Sequence, residues 1–107
     1  MRSAFDGLEP RLLWDCFRRI TQVPRPSKKE AKIIAFMEAW AKEHGFEVLK
    51  DRVSNVLIRV PASKGMGKRP WVCLQGHLDM VPEKNAETVF DFEKDPIAVW
   101  RDGDWLK

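Results

Sequence analysis

The chain reads as an α/β layered fold, and three features of its 107 residues predict this. Two segments with apolar residues at helical spacing come first. Runs of strand length follow, and a hairpin signal, Asp102-Gly-Asp104, stands near the end. The order is thus two helices and then strands of a mixed sheet. In open sheets of this class, chemistry is expected at the C-terminal end of a central strand. At this length the chain is at most one small domain.

The first helix is predicted from Pro10 to about Ile20. Pro10 suits a first helical turn, where its missing N–H costs nothing. Leu12, Leu13, Cys16, Phe17 and Ile20 recur at helical spacing and define one apolar face. Pro24 and Pro26 then enforce an extended connection. Ser27-Lys-Lys-Glu30 has the spacing of a capping box, in which the serine hydroxyl and the glutamate satisfy free backbone amides. The helix it opens carries Ile33, Phe36, Met37, Trp40 and Ala41 on one side, and Gly45 is placed to end it.

Strands are predicted over Phe46 to Leu49 and over Asn55 to Val60, with Val56, Ile58 and Val60 on one face. Ala62 to Arg69 contains Gly65 and Gly67 and reads as a surface turn. Trp71 to Leu74 is apolar at every position, the pattern of a central strand covered on both faces. Glu83 to Asp95 is an irregular polar excursion. Ile97 to Arg101 and the residues from Trp105 onward flank the hairpin turn.

Composition narrows the function classes. Hydrophobic residues make up 44% and charged residues 33%, the balance of a soluble globular protein. Five tryptophans and six phenylalanines imply a core that seeks more burial than so short a chain supplies. No apolar run approaches the roughly 20 residues that span a bilayer, and the N-terminus lacks a signal-peptide stretch. A cytoplasmic location and no membrane partner are therefore expected. The net charge of +3 comes from 19 basic residues interleaved with 16 acidic ones. Such scattered charge excludes the concentrated basic face of a nucleic-acid binder. Cys16 and Cys73 read as small buried hydrophobes, without a disulfide and without the spacing of a cysteine zinc site.

The most informative stretch is Gln75-Gly-His-Leu-Asp-Met-Val-Pro82. In an extended backbone, side chains at i and i+2 point the same way, so His77 and Asp79 share one side. A carboxylate there can orient the imidazole, and an oriented imidazole is a good zinc ligand. On spacing alone, a hydrogen-bonded structural histidine is the commoner reading. Zinc needs three or four protein ligands. The other histidine, His44, falls in the last turn of the second helix, where positive charge suits the helix dipole. Glu83, Glu87, Asp91, Glu93, Asp95, Asp102 and Asp104 have no ligand spacing to His77 and read as solvated loop charges.

Gly76-His-Leu-Asp-Met-Val-Pro-Glu-Lys-Asn85, followed by Asp91-Phe-Glu-Lys-Asp-Pro-Ile97, closely resembles the aminoacyl-histidine dipeptidases. These Xaa-His or cytosol non-specific dipeptidases belong to the M20 family of di-zinc metallopeptidases. Leu8-Glu-Pro with Leu13-Trp14, Val23-Pro-Arg-Pro-Ser-Lys-Lys-Glu30, and Asp51 to Ile58 extend the resemblance through most of the chain.

The resemblance implies that residues 1–107 are the N-terminal portion of an M20-type catalytic domain, without the lid or dimerisation domain. It makes His77 a ligand to one of two zinc ions. It gives Asp79 the catalytic role of holding the ring and raising its basicity. It further implies a dipeptide substrate, a metal-bridging water that attacks it, a glutamate general base, and a homodimer of the full-length protein. Substrate-binding residues are not assigned.

The chain ends at Lys107, before the family's bridging aspartate, its Glu-Glu pair and its remaining ligands. The 107 residues alone are therefore expected to be inactive. Ser54 stands where a glycine often precedes the family's asparagine, and Phe90 where a polar residue is common. Two alternatives are a non-catalytic binding module or truncated product that keeps the scaffold, and another M20 branch such as a deacylase or carboxypeptidase. A module predicts a covered core. A piece of the enzyme predicts an unsatisfied sheet edge with exposed Trp or Phe.

Overall fold

The computed structural model describes residues 3–107. Two helices, α1 (Arg11–Thr21) and α2 (Ala31–Glu43), precede four short strands: β1 (Glu47–Lys50), β2 (Val56–Arg59), β3 (Arg101–Asp102) and β4 (Trp105–Leu106). The strands form two antiparallel pairs, β1 with β2 and β3 with β4. One isolated parallel bridge joins Pro26 to Met80.

α1 begins where Pro10 dictates. Pro10 is the N-cap, in an extended conformation, and its carbonyl accepts from the amides of Leu13 and Trp14. The indole of Trp14 donates to the Glu9 carbonyl at 3.2 Å. Trp14 and Phe17 close an aromatic cluster with Phe5, ring centroids 6.0–6.5 Å apart. The rest of the predicted apolar face is only partly covered: Cys16 and Ile20 are half-buried, Leu12 is 75% exposed and Leu13 more than half exposed.

The expected capping box at α2 does not form. Glu30, not Ser27, is the N-cap, and it makes no side-chain capping bond. Its carboxylate instead accepts from the Lys28 amide at 2.6 Å. The Ser27 hydroxyl is drawn away to a residue 52 positions later. At its other end α2 stops as predicted. Gly45 takes φ +72°. The Phe46 amide reaches the Ala41 carbonyl at 2.8 Å and the Gly45 amide reaches Lys42 at 3.0 Å. These two bonds are the Schellman arrangement that satisfies the last helical carbonyls.

The buried face of α2 holds Ile33 and Ala41, 1% and 0% exposed, and packs on the β1–β2 hairpin. Pairing runs from Glu47 opposite Arg59 to Lys50 opposite Val56, and Val56 and Ile58 point to the helix-covered, half-buried side. Asp51 holds the connecting loop. One carboxylate oxygen accepts from the amides of Val53 and Asn55, and the other from the Asn55 side chain, at 2.8–2.9 Å. Ser54 sits at φ +71° in this loop, in the left-handed region that favours glycine. That is the position where the resemblance leads one to expect glycine.

Trp71 to Leu74 is not a strand, contrary to its sequence pattern. Trp71, Val72 and Leu74 are 79%, 80% and 93% exposed. Cys73 is exposed as well, and Cys16 only half-buried, so neither is the buried hydrophobe expected. An open cleft of about 720 Å³ lies between this segment and Leu57–Val60, and no strand pairing is formed across it. A strand exists only where a neighbour accepts its backbone groups. Of Ile97 to Arg101, only Arg101 lies in a strand, the two-residue β3 that it forms with Asp102. The hairpin turn itself forms, with Gly103 at φ +59°, and Trp100 and Lys107 exchange both backbone bonds beyond it. Arg101 ties this hairpin to the N-terminal segment by donating to the carbonyls of Ala4 and Asp6.

The radius of gyration is 16.7 Å, against about 13 Å for a compact chain of about 100 residues. Among the described residues only Thr21, Pro26, Ile33 and Ala41 are buried.

Two outcomes follow from this packing. Ile33→Ala is expected to lower the unfolding free energy by about 2–5 kcal/mol, measured by denaturant titration. The Asn55 side chain first, then nearby backbone amides, hold the Asp51 carboxyl below the usual aspartate range. A depressed carboxylate stabilises the fold above its unfolded value, about 3.9, and loses that contribution as pH falls through the folded value. Protection of the 51–55 amides, taken relative to intrinsic exchange at each pH, should therefore fall in that acid window, and Asp51→Ala should abolish this fall.

Candidate functional site

The site is built where two loops meet. Pro24 and Pro26 fix the backbone torsions on either side of Arg25. The Met80 amide donates to the Arg25 carbonyl at 2.9 Å, and the Ser27 amide donates to the Met80 carbonyl at 3.0 Å. These bonds form the parallel bridge and set the residues just before Met80 against the turn that leads into α2.

On this frame, His77 Nδ1 lies 2.9 Å from Asp79 Oδ1. An ionised carboxylate only accepts, so Nδ1 carries the proton. The lone pair of the neutral ring is then on Nε2. The ring is 82% exposed, whereas Asp79 is 34% exposed. The second oxygen, Asp79 Oδ2, accepts from the Ser27 hydroxyl at 2.6 Å. The Ser27 hydroxyl first, and the His77 ring second, hold the Asp79 carboxyl below the usual carboxylate range. The acid therefore stays ionised and keeps its acceptor role.

His77 and Asp79 line one wall of a cleft of about 600 Å³ with Gln75 and Gly76; the N-cap Glu30, Ile34 and Met37 of α2, and Val53–Val56 line the others. The donor chemistry fits a single zinc ligand from this segment: a neutral imidazole, oriented through one nitrogen and open at the other. Among the described residues no three His, Cys, Asp or Glu side chains gather into a metal-holding group.

The other sequence candidates fall elsewhere. His44 caps α2, its Nδ1 2.8 Å from the Trp40 carbonyl and its ring clustered with those of Trp40 and Phe46. Glu93 pairs with Lys29, Asp91 with Lys94 and Asp102 with Lys107. Ser27 is the functional contact that sequence reasoning missed. Its spacing to Glu30 favoured a local capping role, and nothing local signals a partner at Asp79.

The chain is 50% identical over 105 residues to the cytosol non-specific dipeptidase of Escherichia coli strain K12. It also superposes on the crystal structure of aminoacylhistidine dipeptidase from Vibrio alginolyticus with a TM-score of 0.91 and 43% identity. Each match covers 98% of this chain. The chain is a homologue of the aminoacylhistidine dipeptidases. It spans 22% of the E. coli relative and 21% of the V. alginolyticus chain. No family model matches it. The high TM-score supports the α/β reading of two helices followed by strands, and the strands present form small antiparallel pairs.

The tautomer is testable directly. Imidazole ¹⁵N spectra near neutral pH are expected to show His77 protonated at Nδ1 and bare at Nε2. A ring protonated at Nε2 alone would contradict the geometry.

Proposed function

We propose that residues 1–107 form the N-terminal portion of an M20-type di-zinc catalytic domain, and that the protein cleaves dipeptides of the Xaa-His type with a metal-activated water. The observation that carries this reading is the His77–Asp79 pair: an exposed imidazole held through Nδ1 by an ionised carboxylate. The homology to dipeptidases supplies the substrate class.

In this mechanism His77 presents Nε2 to one zinc ion. Asp79 keeps the proton on Nδ1, restrains the ring against rotation and raises the basicity of Nε2. When bound, the metal supplies Lewis acidity and lowers the pKa of the attacking water. The cleft beside His77 gives a dipeptide room to approach, bordered by Asn55, Ser54 and Gln75. One imidazole does not hold zinc against water, so the 107 residues alone are inactive in this reading. The cytosol, named for the E. coli relative, is the location that goes with it. A self-sufficient binding module is disfavoured because its core would be covered, whereas Trp71, Val72 and Leu74 here face solvent.

Hydrolysis of β-Ala-His or Gly-His by the protein as its source produces it is the test. Activity should vanish with a strong chelator and return with zinc. Asp79→Ala should lower kcat/KM by about 10–100-fold, and His77→Ala by at least as much. Undiminished turnover in His77→Ala would sink the proposal.

A further inference from the structure

The Ser27 hydroxyl spans 52 residues of sequence to reach a carboxylate, and its geometry is more specific than a loop contact requires. Its oxygen is 2.6 Å from Asp79 Oδ2 and 3.3 Å from the Met80 carbonyl. A hydroxyl has one proton to donate. The shorter contact, to an ionised acceptor, is in the range of charge-assisted O–H···O⁻ bonds. Asp79 is thereby held at both oxygens: Oδ2 by Ser27 and Oδ1 by the His77 ring.

A carboxylate held at one oxygen can still swing about its Cβ–Cγ bond, and an exposed ring bonded to it swings too. Held at both, it presents Oδ1 in one direction. The backbone on either side is already pinned by the Met80–Arg25 and Ser27–Met80 bonds. Neither bond uses the Ser27 side chain, so removing the hydroxyl leaves the loop junction intact. The hydroxyl is also spared from capping, since α2 begins at Glu30 without it.

We propose that Ser27 is a positioning residue for the metal ligand: it acts through Asp79 to fix the His77 ring, the outermost member of a Ser27–Asp79–His77 hydrogen-bonded chain. This rests on the dipeptidase reading above. It adds a residue from the turn before α2 to the site.

Two readouts test it in the protein as its source produces it: zinc affinity, by competition with a chromophoric chelator, and kcat and KM on β-Ala-His. Ser27→Ala is expected to weaken zinc binding and to lower kcat by about 10-fold, the lower end for residues behind a metal ligand, with KM little changed. Ser27→Thr, which keeps the hydroxyl, should restore most of both. In an Asp79→Ala background, Ser27→Ala should add nothing, because the residue it acts through is gone. Parent-like zinc affinity and kcat in Ser27→Ala would overturn the proposal. So would a full effect persisting without Asp79, or failure of threonine to rescue. If His77→Ala changes neither readout, the dipeptidase reading fails and takes this inference with it. Dependence on His77 with indifference at Ser27 defeats the inference alone.

Discussion

The candidate site depends on the two backbone hydrogen bonds by which Met80 is held between Arg25 and Ser27. They are the only β-type pairing among the described residues that joins the first 30 residues to the histidine-bearing segment. His77 lies on a loop with little packed against it, so burial cannot order the ring. Order comes from hydrogen bonds, passed from a proline-restricted turn to the Met80 backbone, then to Asp79, then to the imidazole. This suits a ligand that must stay open to solvent and substrate while keeping one tautomer and one orientation.

Elsewhere the chain holds together through local devices more than through a core. The Schellman turn at Gly45, the Asp51 loop and the Gly103 hairpin each satisfy their own backbone within a few residues. α1 meets α2 mainly through Arg19, which pairs with Glu43 at 3.0 Å and lies over the Phe36 ring at 5.4 Å. Exposed ion pairs of this kind stabilise by less than about 1 kcal/mol. The expanded radius and the bare faces of α1 and Trp71–Leu74 express the same fact: these residues carry more apolar surface than they can cover among themselves.

What was legible in the sequence was what short-range chemistry decides. Pro10, Gly45 and Gly103 act on their immediate neighbours, so α1, the end of α2, the strands β1 and β2 and the final turn came out within a residue or two of their predicted bounds. The cap of α2, by contrast, lies three residues beyond Ser27. The i, i+2 spacing of His77 and Asp79 is also local, and the hydrogen bond between them matches it. Trp71–Leu74 was misread because an all-apolar run states a demand for burial, and the neighbours that would meet it are not specified by the run itself. Ser27 was misread for the converse reason. Its oxygen could accept from a nearby amide at the start of α2, or its proton could go to a distant carboxylate, and the sequence displays only the nearby partner.

The sequence by itself therefore determined the helices, the tight turns, the histidine–aspartate pair and the kinship with dipeptidases, because each is written in contiguous residues or fixed spacings. Only the tertiary structure decided that the turn before α2 lies against Met80, and that Ser27 serves Asp79 instead of its own helix. The Ser27 hydroxyl donates its one proton to an ionised carboxylate 2.6 Å away, a bond that exists only once the folded chain has brought residues 27 and 79 together.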